Sequence, residues 1–420
     1  MSKLIPSDNM TTSSTDAPQR TSMTRDELKS SASLAGVFAM RMLGLFLILP
    51  VFAVYAEHLP GGDSAFLVGL TIGIYGLTQS LFQIPFGIAS DRLGRRRVIV
   101  FGLIIFALGS FLAAASGTIW GVMAGRALQG AGAISAAVTA LIADSVRPAV
   151  ITRSMAMVGA SIGLMFALSL VIAPPLATLF GVEGLFTMTG VLALLAIGVV
   201  VFLVPGRRHR VDELSELKAV PFGNVFRDPA LLRLNLGVFT LHAVQMALFV
   251  VVPPRLVEMG LPVTSHWEIY LPAVLIAFAV MVKPIIWAER RRRVTTLLRT
   301  AAGILVTTFL LFTYLMHSVW EISFLMTLFF IGFNLMEATL PGLVSRFAPP
   351  SAKGLALGIY NTTQSLGLFA GGALGGLLSQ HFSAQSVFFT AGFAMLIWLF
   401  ASRGLREFHS ESADSIKAAS

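Results

Sequence analysis

Long apolar runs alternate with short polar links along almost the whole chain. A helix of about 20 mostly apolar residues crosses the roughly 30 Å hydrocarbon core of a bilayer. The pattern predicts an all-α membrane protein with twelve such spans, numbered here in chain order. They cover 34–56, 64–90, 98–116, 118–146, 152–180, 184–205, 231–257, 267–288, 295–317, 319–345, 352–381 and 385–402. Continuous runs favour helices over a barrel, whose strands are shorter and alternate in polarity.

The longest link divides these spans into two sets of six, which predicts two pseudo-symmetric halves. Weak similarity supports a repeat, since Arg153-Ser-Met-Ala-Met and Lys353-Gly-Leu-Ala-Leu open spans 5 and 11. Apolar residues recur along one face of the link, so we expect an amphipathic surface helix there. The predicted organisation is a disordered tail (1–33), a first half (34–205), the linker (206–230), a second half (231–402) and a second tail (403–420).

The distribution of charge predicts the orientation in the membrane. The chain is 55% apolar and 12% charged with a net charge of +9, whereas soluble domains carry roughly 25% charged residues. Most Lys and Arg lie in the tails and in the links after even-numbered spans, while the other side holds Arg255 alone. The positive-inside rule places both termini in the cytoplasm, here of a bacterial inner membrane. This placement makes a nucleic-acid partner the poorer explanation of the charge.

The link after span 2 carries the most specific motif. It reads Gly87-Ile-Ala-Ser-Asp91-Arg92-Leu-Gly94-Arg95-Arg96-Arg97. Gly87 permits close helix approach and Gly94 a tight turn. Asp91, at a helix end, can meet the positive N-terminus of another helix. Membrane-orienting charge alone explains the arginines but neither Asp91 nor the glycines.

This motif closely resembles the signature loop of the major facilitator superfamily, Gly-x-x-x-Asp-Arg-x-Gly-Arg-Arg/Lys. The resemblance implies a twelve-helix transporter whose halves rock around a central cavity, with span 11 as the partner of Asp91. Gly125-Arg126-Ala-Leu-Gln129-Gly130-Ala-Gly132 resembles the family's span-4 motif, whose Arg is associated with proton coupling in antiporters. Leu43-Gly44 with Pro50-Val51 resembles the span-1 motif of the drug/proton antiporter group, whereas Ala173-Pro174-Pro175 departs from the antiporter motif of span 5.

More narrowly, the chain resembles the YajR-like bacterial transporters from about residue 34 to 402. Four segments carry this resemblance: Arg41-Met-Leu-Gly44, Gly73-Ile-Tyr-Gly-Leu-Thr-Gln79, Gln83-Ile-Pro-Phe-Gly87 and Asn334-Leu-Met-Glu337. Some relatives append a small soluble domain after span 12. Few residues follow Ser402, so we expect that domain to be absent.

Charges inside spans are costly, at least ~2.5 kcal/mol at the bilayer centre on insertion scales, and are therefore functional candidates. Arg41 in span 1 and Glu337 in span 10 lie at similar depth. The resemblance places spans 1, 4, 7 and 10 around the cavity, so the two could face each other across it. The alternative is a static ion pair that holds the halves together.

Span 4 carries Arg126 and Asp144 on one face of a continuous helix. We expect Arg126 to face the cavity, the alternative being a packing arginine bonded to carbonyls. Asp144 lies at the cytoplasmic mouth, where it could pair with Arg95 as a latch.

Uncharged polar residues form stripes on three other spans. His242 stands near the middle of span 7 between Asn235 and Gln245. Histidine is the residue type that most readily changes its charge near physiological pH. Cavity lining and interhelix hydrogen bonding are both open for the remaining stripes. These comprise Tyr75, Gln79 and Gln83 in span 2 and Tyr360, Asn361 and Gln364 in span 11, with Asn334 near Glu337.

The sequence therefore predicts a monomeric secondary transporter in the lipid bilayer, a proton-coupled exporter of a small solute. Glu337 is the leading protonatable group and His242 the second. We expect no cofactor or metal and no enzymatic activity, and no phosphate-loop motif for ATP occurs. An uncoupled facilitator and a transporter-like receptor or assembly protein are the alternatives. Two inward arginines, Arg41 and Arg126, favour an anionic or neutral substrate over a cationic drug.

Overall fold

The computed structural model of the chain describes residues 23–147, 150–204, 222–349 and 352–407. Most of the predicted linker helix lies outside the described residues. Fourteen α-helices are described. They are α1 Arg25–Leu47, α2 Phe52–Ala56, α3 Ala65–Leu93, α4 Arg95–Ala114, α5 Ile119–Ala131, α6 Ser135–Ser145, α7 Ile151–Gly198, α8 Phe222–Phe226, α9 Pro229–Glu258, α10 Trp267–Arg290, α11 Val294–Tyr314, α12 Val319–Phe347, α13 Lys353–His381 and α14 Ala384–Ala401.

The first helix begins earlier than the sequence predicts. Thr24 caps α1 in a capping box with Glu27, so helix replaces the disordered tail expected over 25–33. Glu27 also accepts hydrogen bonds from the backbone N–H and the guanidinium of Arg147, at 3.0 and 2.7 Å. This contact raises the pKa of the Arg147 guanidinium. The prediction for the tail was wrong there because a cap and a charged partner fix the segment.

Two predicted spans are interrupted. Span 1 divides into α1 and α2 around Pro50, which lacks a backbone donor and disfavours helix in the residue before it. Span 4 divides into α5 and α6, with residues 132–134 outside either helix. The single face predicted for Arg126 and Asp144 was therefore wrong, since this break changes the helical register between them.

The twelve-span, all-α architecture is confirmed. Ten described helical segments are long and apolar enough to cross a membrane, with α5 and α6 counted together as one. One of them, α7, contains spans 5 and 6 on either side of a kink at Gly181, where φ is 69°. Glycines and polar residues dilute the apolar run of α13, which is the remaining span.

The halves meet along a seam in which α3 packs against α13 and α7 against α10. Glycines bring the first pair into backbone contact: a Cβ on Gly73 would lie 2.8 Å from the carbonyl oxygen of Phe369. A Cβ on Gly372 would lie 2.9 Å from the backbone N of Gly73. The halves also meet at a third place, where Phe166 of α7 contacts Phe330 of α12 with ring centroids 6.1 Å apart. The seam is therefore tight where the small residues face each other.

The seam opens toward the end of the bundle that holds Arg95–Arg97 and Arg290–Arg293, called here the basic end. There a Cβ on Gly354 or Gly358 of α13 would meet nothing within 4 Å, and one on Gly87 of α3 would meet only Ala136 of its own half. The other end, called here the far end, is held by the glycine contacts. Within the described residues, the halves thus contact each other at the far end and diverge at the basic end.

Candidate functional site

Near the middle of the second half, three polar side chains from three helices converge. His242 of α9 is 5% exposed. Its Nε2 lies 2.7 Å from the side-chain nitrogen of Gln364 of α13 and 3.6 Å from Oε2 of Glu337 of α12. Its Nδ1 lies 3.0 Å from the carbonyl oxygen of Val238. The predicted protonatable residues are therefore neighbours of each other.

The Val238 carbonyl determines which ring nitrogen of His242 carries the hydrogen in the neutral imidazole. A carbonyl oxygen only accepts, so Nδ1 carries a hydrogen that it donates to Val238. In the neutral ring Nε2 is then an acceptor, and the Gln364 N–H donates to it. A second proton on Nε2 would need an acceptor, and Glu337 Oε2 is the nearest carboxylate oxygen. The cluster can thus hold one additional proton on either His242 or Glu337.

Aromatic rings cover this cluster on the side of the first half. The ring of Phe333 packs edge-on against His242 at 5.8 Å, and Phe166 of α7 packs against Phe333 at 6.2 Å. The Glu337 side chain remains 36% exposed. Its Oε2 and the hydroxyl of Tyr360, one turn before Gln364, are buried atoms without a hydrogen-bond partner among the described residues. Unpaired buried polar atoms at this depth are costly, which makes this cluster the candidate site.

Arg41 does not face Glu337, and the predicted pairing across the cavity was wrong. Arg41 is 0% exposed. Its guanidinium donates to the Tyr75 hydroxyl at 2.7 Å, to Ser135 Oγ at 3.2 Å and to the Gly132 carbonyl at 3.5 Å. Gly132 follows the last residue of α5, where a helix presents free carbonyls and partial negative charge. Arg41 therefore stabilises the break in span 4 inside the first half.

Arg126 also lies inside the first half in this conformation, in the arrangement of a packing arginine. It is 3% exposed and donates to Gln129 Oε1 at 2.9 Å and to the Ile72 carbonyl at 3.3 Å. Its guanidinium stacks over the Tyr75 ring at 5.1 Å. Tyr75 thus contacts both buried arginines.

The signature loop is held within its own half. Asp144 at the end of α6 accepts from Arg95 Nε at 3.1 Å. Arg96 donates to the carbonyls of Val200 and Val201 at 2.8 and 2.6 Å. Gly94, directly before Arg95, has φ 96°, a conformation that favours glycine. These contacts tie α4 to α6 and to the end of span 6.

Asp91 pairs with Arg95, and its side chain is 63% exposed. The predicted contact with the start of span 11 is not made in this conformation because the halves diverge at the basic end. Arg92 is exposed. The Cβ of a residue at 87 would lie 3.7 Å from Ala136, an ordinary contact, so Gly87 is not needed for close approach here.

The other predicted polar residues divide between the two halves. Gln79 of α3 is 7% exposed, and Gln245 of α9 is 4% exposed on the helix that carries His242. Asn334 and Asn361 are partly exposed on α12 and α13. The break in span 4 was not predicted, although Gly130 and Gly132 were a visible signal for it. Phe166 was not predicted either, because it resembles any other apolar residue of a membrane span.

Comparison with known proteins agrees with this geometry. A family model described as "Major Facilitator Superfamily" matches residues 34–372 and 286–418. The inner membrane transport protein YajR of Escherichia coli (strain K12) is 41% identical over 386 residues, 92% of this chain and 85% of that protein. A tetracycline resistance protein, class B, of Escherichia coli is 34% identical over 140 residues, 33% of this chain and 35% of its own length.

A solved structure has a similar fold. It is a bacterial homolog of the human lysosomal transporter Spinster in an inward-facing, unoccupied conformation, with a TM-score of 0.70 and 14% identity. The match covers 91% of this chain and 98% of that one.

Proposed function

The chain belongs to the Major Facilitator Superfamily, and from this membership we propose that it is a proton-coupled exporter of a small solute. As a transporter of this family it is a multi-pass membrane protein and a carrier rather than an enzyme. One observation carries the proposal of proton coupling: Glu337, 3.6 Å from His242, is partly exposed at mid-depth with an unpaired oxygen. A carboxylate so placed binds a proton or a cationic solute but not both.

The orientation belongs to the same proposal. The basic end faces the cytoplasm, as the positive-inside rule requires, in a bacterial inner membrane. The conformation described above then opens inward and is closed outward by the glycine contacts of α3 with α13 and by Phe166. A solute enters from the cytoplasm, reaches Glu337, and is released when the halves rock.

The exposure of Arg41, Arg126 and Glu337 favours a different substrate class from the one that the sequence predicted. The preference for an anionic or neutral solute rested on Arg41 and Arg126 facing the cavity, but they are 0% and 3% exposed. Both are bonded to neutral oxygens of the first half. Glu337 is the partly exposed charge at this depth, with its side chain 36% exposed. We therefore propose a neutral or cationic substrate.

Proton coupling follows from competition at Glu337. A proton from the more acidic outside neutralises the carboxylate, and the carrier returns inward, where the proton leaves. The free carboxylate then attracts the solute, whose positive or polar group replaces the proton. Each ligand removes the cost of an unpaired charge at mid-membrane depth, so the loaded carrier moves more readily than the empty one.

A conformational measurement tests this without knowledge of the substrate. The chain has no cysteine, so spin labels can be attached at Leu93→Cys on α3 and Lys353→Cys on α13, which flank the opening. The distance between the labels should change with pH over a single transition, and Glu337→Gln should remove or displace this transition. Distances independent of pH, or an unchanged transition in Glu337→Gln, would exclude coupling through Glu337 and leave an uncoupled facilitator.

A further inference from the structure

We infer that Gln364 is a positioning residue that converts protonation of the His242–Glu337 pair into movement of α13. The inference rests on the proposed function, and it assigns a role to a side chain that need not touch the substrate. Its starting point is the 2.7 Å contact between the Gln364 nitrogen and His242 Nε2.

The contact exists only while Nε2 is unprotonated. Val238 keeps the ring hydrogen on Nδ1, so neutral His242 accepts the Gln364 N–H. Once Nε2 is protonated, the two groups are both donors and repel each other. The Nε2–H then turns to Glu337, 3.6 Å away, or to the Gln364 oxygen after the amide rotates by half a turn. The first outcome breaks the hydrogen bond between α13 and α9, whereas amide rotation replaces it with an Nε2–H···O bond. Protonation therefore releases α13 when Glu337 takes the Nε2–H.

Gln364 lies on α13, a helix of the second half that packs against helices of both halves. One face of α13 packs on α9, where a Cβ on Gly375 would lie 2.9 Å from Ala247 Cα. The other face packs on α3 of the first half, where a Cβ on Gly76 would lie 3.0 Å from Leu368 Cβ. When the hydrogen bond between α13 and α9 is lost, α13 can shift where it contacts α3, because this contact lies within about one helical turn of Gln364.

The surroundings of His242 limit which groups can respond. Among the described residues, the titratable side chain next to the His242 ring is Glu337 on α12, and Phe333 covers another side of the ring. Tyr360 on α13 interacts in turn with Glu337. Gln364 is thus the uncharged donor that senses the protonation state. With Nε2 unprotonated it holds α13 in the inward-open arrangement. A proton, or a solute that engages Glu337 and Gln364, releases α13, and this requirement makes exchange obligatory.

The test uses the Leu93→Cys/Lys353→Cys label pair in the full chain. In Gln364→Leu the N–H···N bond is absent at every pH, so the label distance should no longer change with pH. In Gln364→Glu a carboxylate replaces the donor and stabilises the imidazolium, so the midpoint should move upward by about one pH unit. Thr363→Val is the matched control, since among the described residues Thr363 bonds only to the Ile359 carbonyl of its own helix. It should keep the wild-type midpoint.

The outcomes separate this role from the proposed function. A pH-independent distance in the parent label pair, or an unchanged transition in Glu337→Gln, contradicts the proposed function itself. Suppose that the parent label pair shows the pH transition and that Glu337→Gln removes or displaces it. A wild-type midpoint and amplitude in both Gln364→Leu and Gln364→Glu would then overturn the role of Gln364 alone. A lower melting temperature in Gln364→Leu with an unaltered pH transition would show a merely structural residue. If Gln364→Leu fails to fold, the midpoint of Gln364→Glu decides.

Discussion

Gln380 of α13 accepts a hydrogen bond from Ser64 just before α3, at 2.7 Å, across the seam between the halves. The same Gln380 oxygen accepts the backbone N–H of Phe66 at 2.9 Å. A side chain of the second half thus caps the first turn of a helix of the first half. These bonds close the far end and must break whenever that end opens.

Gln380→Ala should favour opening of the far end. It removes two exposed hydrogen bonds, each worth roughly 0.5–1.5 kcal/mol, from the closed state only. We expect the Leu93–Lys353 label distance to shift toward the closed basic end, with little change in melting temperature. Gln385→Ala is the control, since Gln385 is an exposed glutamine at the start of α14 that makes no hydrogen bond to the first half among the described residues. Equal distance distributions in both variants would show that the bonds to Gln380 do not hold the seam.

Gly372→Ala should have a stronger effect in the same direction. The added methyl would lie 2.9 Å from the Gly73 backbone nitrogen, so α3 and α13 must separate. Gly354→Ala adds the same methyl to the same helix where nothing lies within 4 Å. Only the first variant should alter the label distance. If Gly354→Ala altered the distance as much, the seam would not explain the effect.

Tyr75→Phe should destabilise the first half by about 1–3 kcal/mol, because it leaves a buried guanidinium hydrogen of Arg41 without its acceptor. Thermal unfolding of the purified protein measures this. Tyr270→Phe is a matched control, since that buried hydroxyl has no partner among the described residues and its removal should cost little. The pH transition of the labels should persist in both variants. Loss of the pH transition in Tyr75→Phe would indicate that Arg41 takes part in proton coupling.

Asp91→Asn should increase the population that is open at the basic end. In the present conformation Asp91 is exposed and pairs only locally with Arg95, so the substitution costs little here. In a closed basic end its charge would meet the N-terminus of α13. Asp144→Asn, which breaks a contact within one half, should leave the label distance unchanged. A shift of equal size in Asp144→Asn would indicate a general disturbance of the loop.

The helices were predictable because a membrane span requires about 20 apolar residues whatever its neighbours are. The motifs were predictable because few residue types satisfy a tight turn such as that at Gly94. Depth along a span was predictable as well for His242, which was expected near the middle of span 7, but its contact with Glu337 became visible only in the structure.

The partners of buried charges were not predictable in the same way. Depth along a helix does not give direction around its axis, and the break at residues 132–134 added an acceptor, the Gly132 carbonyl, that a continuous helix would not offer. Arg41 therefore has neutral partners rather than Glu337. The conformation was not predictable either, because the sequence does not show which end of the seam is closed.

Proton-driven accumulation measures the role of Glu337 most directly. The protein is reconstituted inside-out in proteoliposomes with an acidic interior, and ethidium serves as a lipophilic cation matched to an accessible carboxylate. The wild type should accumulate ethidium as protons leave, and Glu337→Gln should lose this accumulation, because a neutral side chain mimics the protonated carrier and can no longer exchange a proton for the cation. Accumulation by Glu337→Gln at the wild-type rate, or a wild type that ignores the pH gradient, would contradict the account.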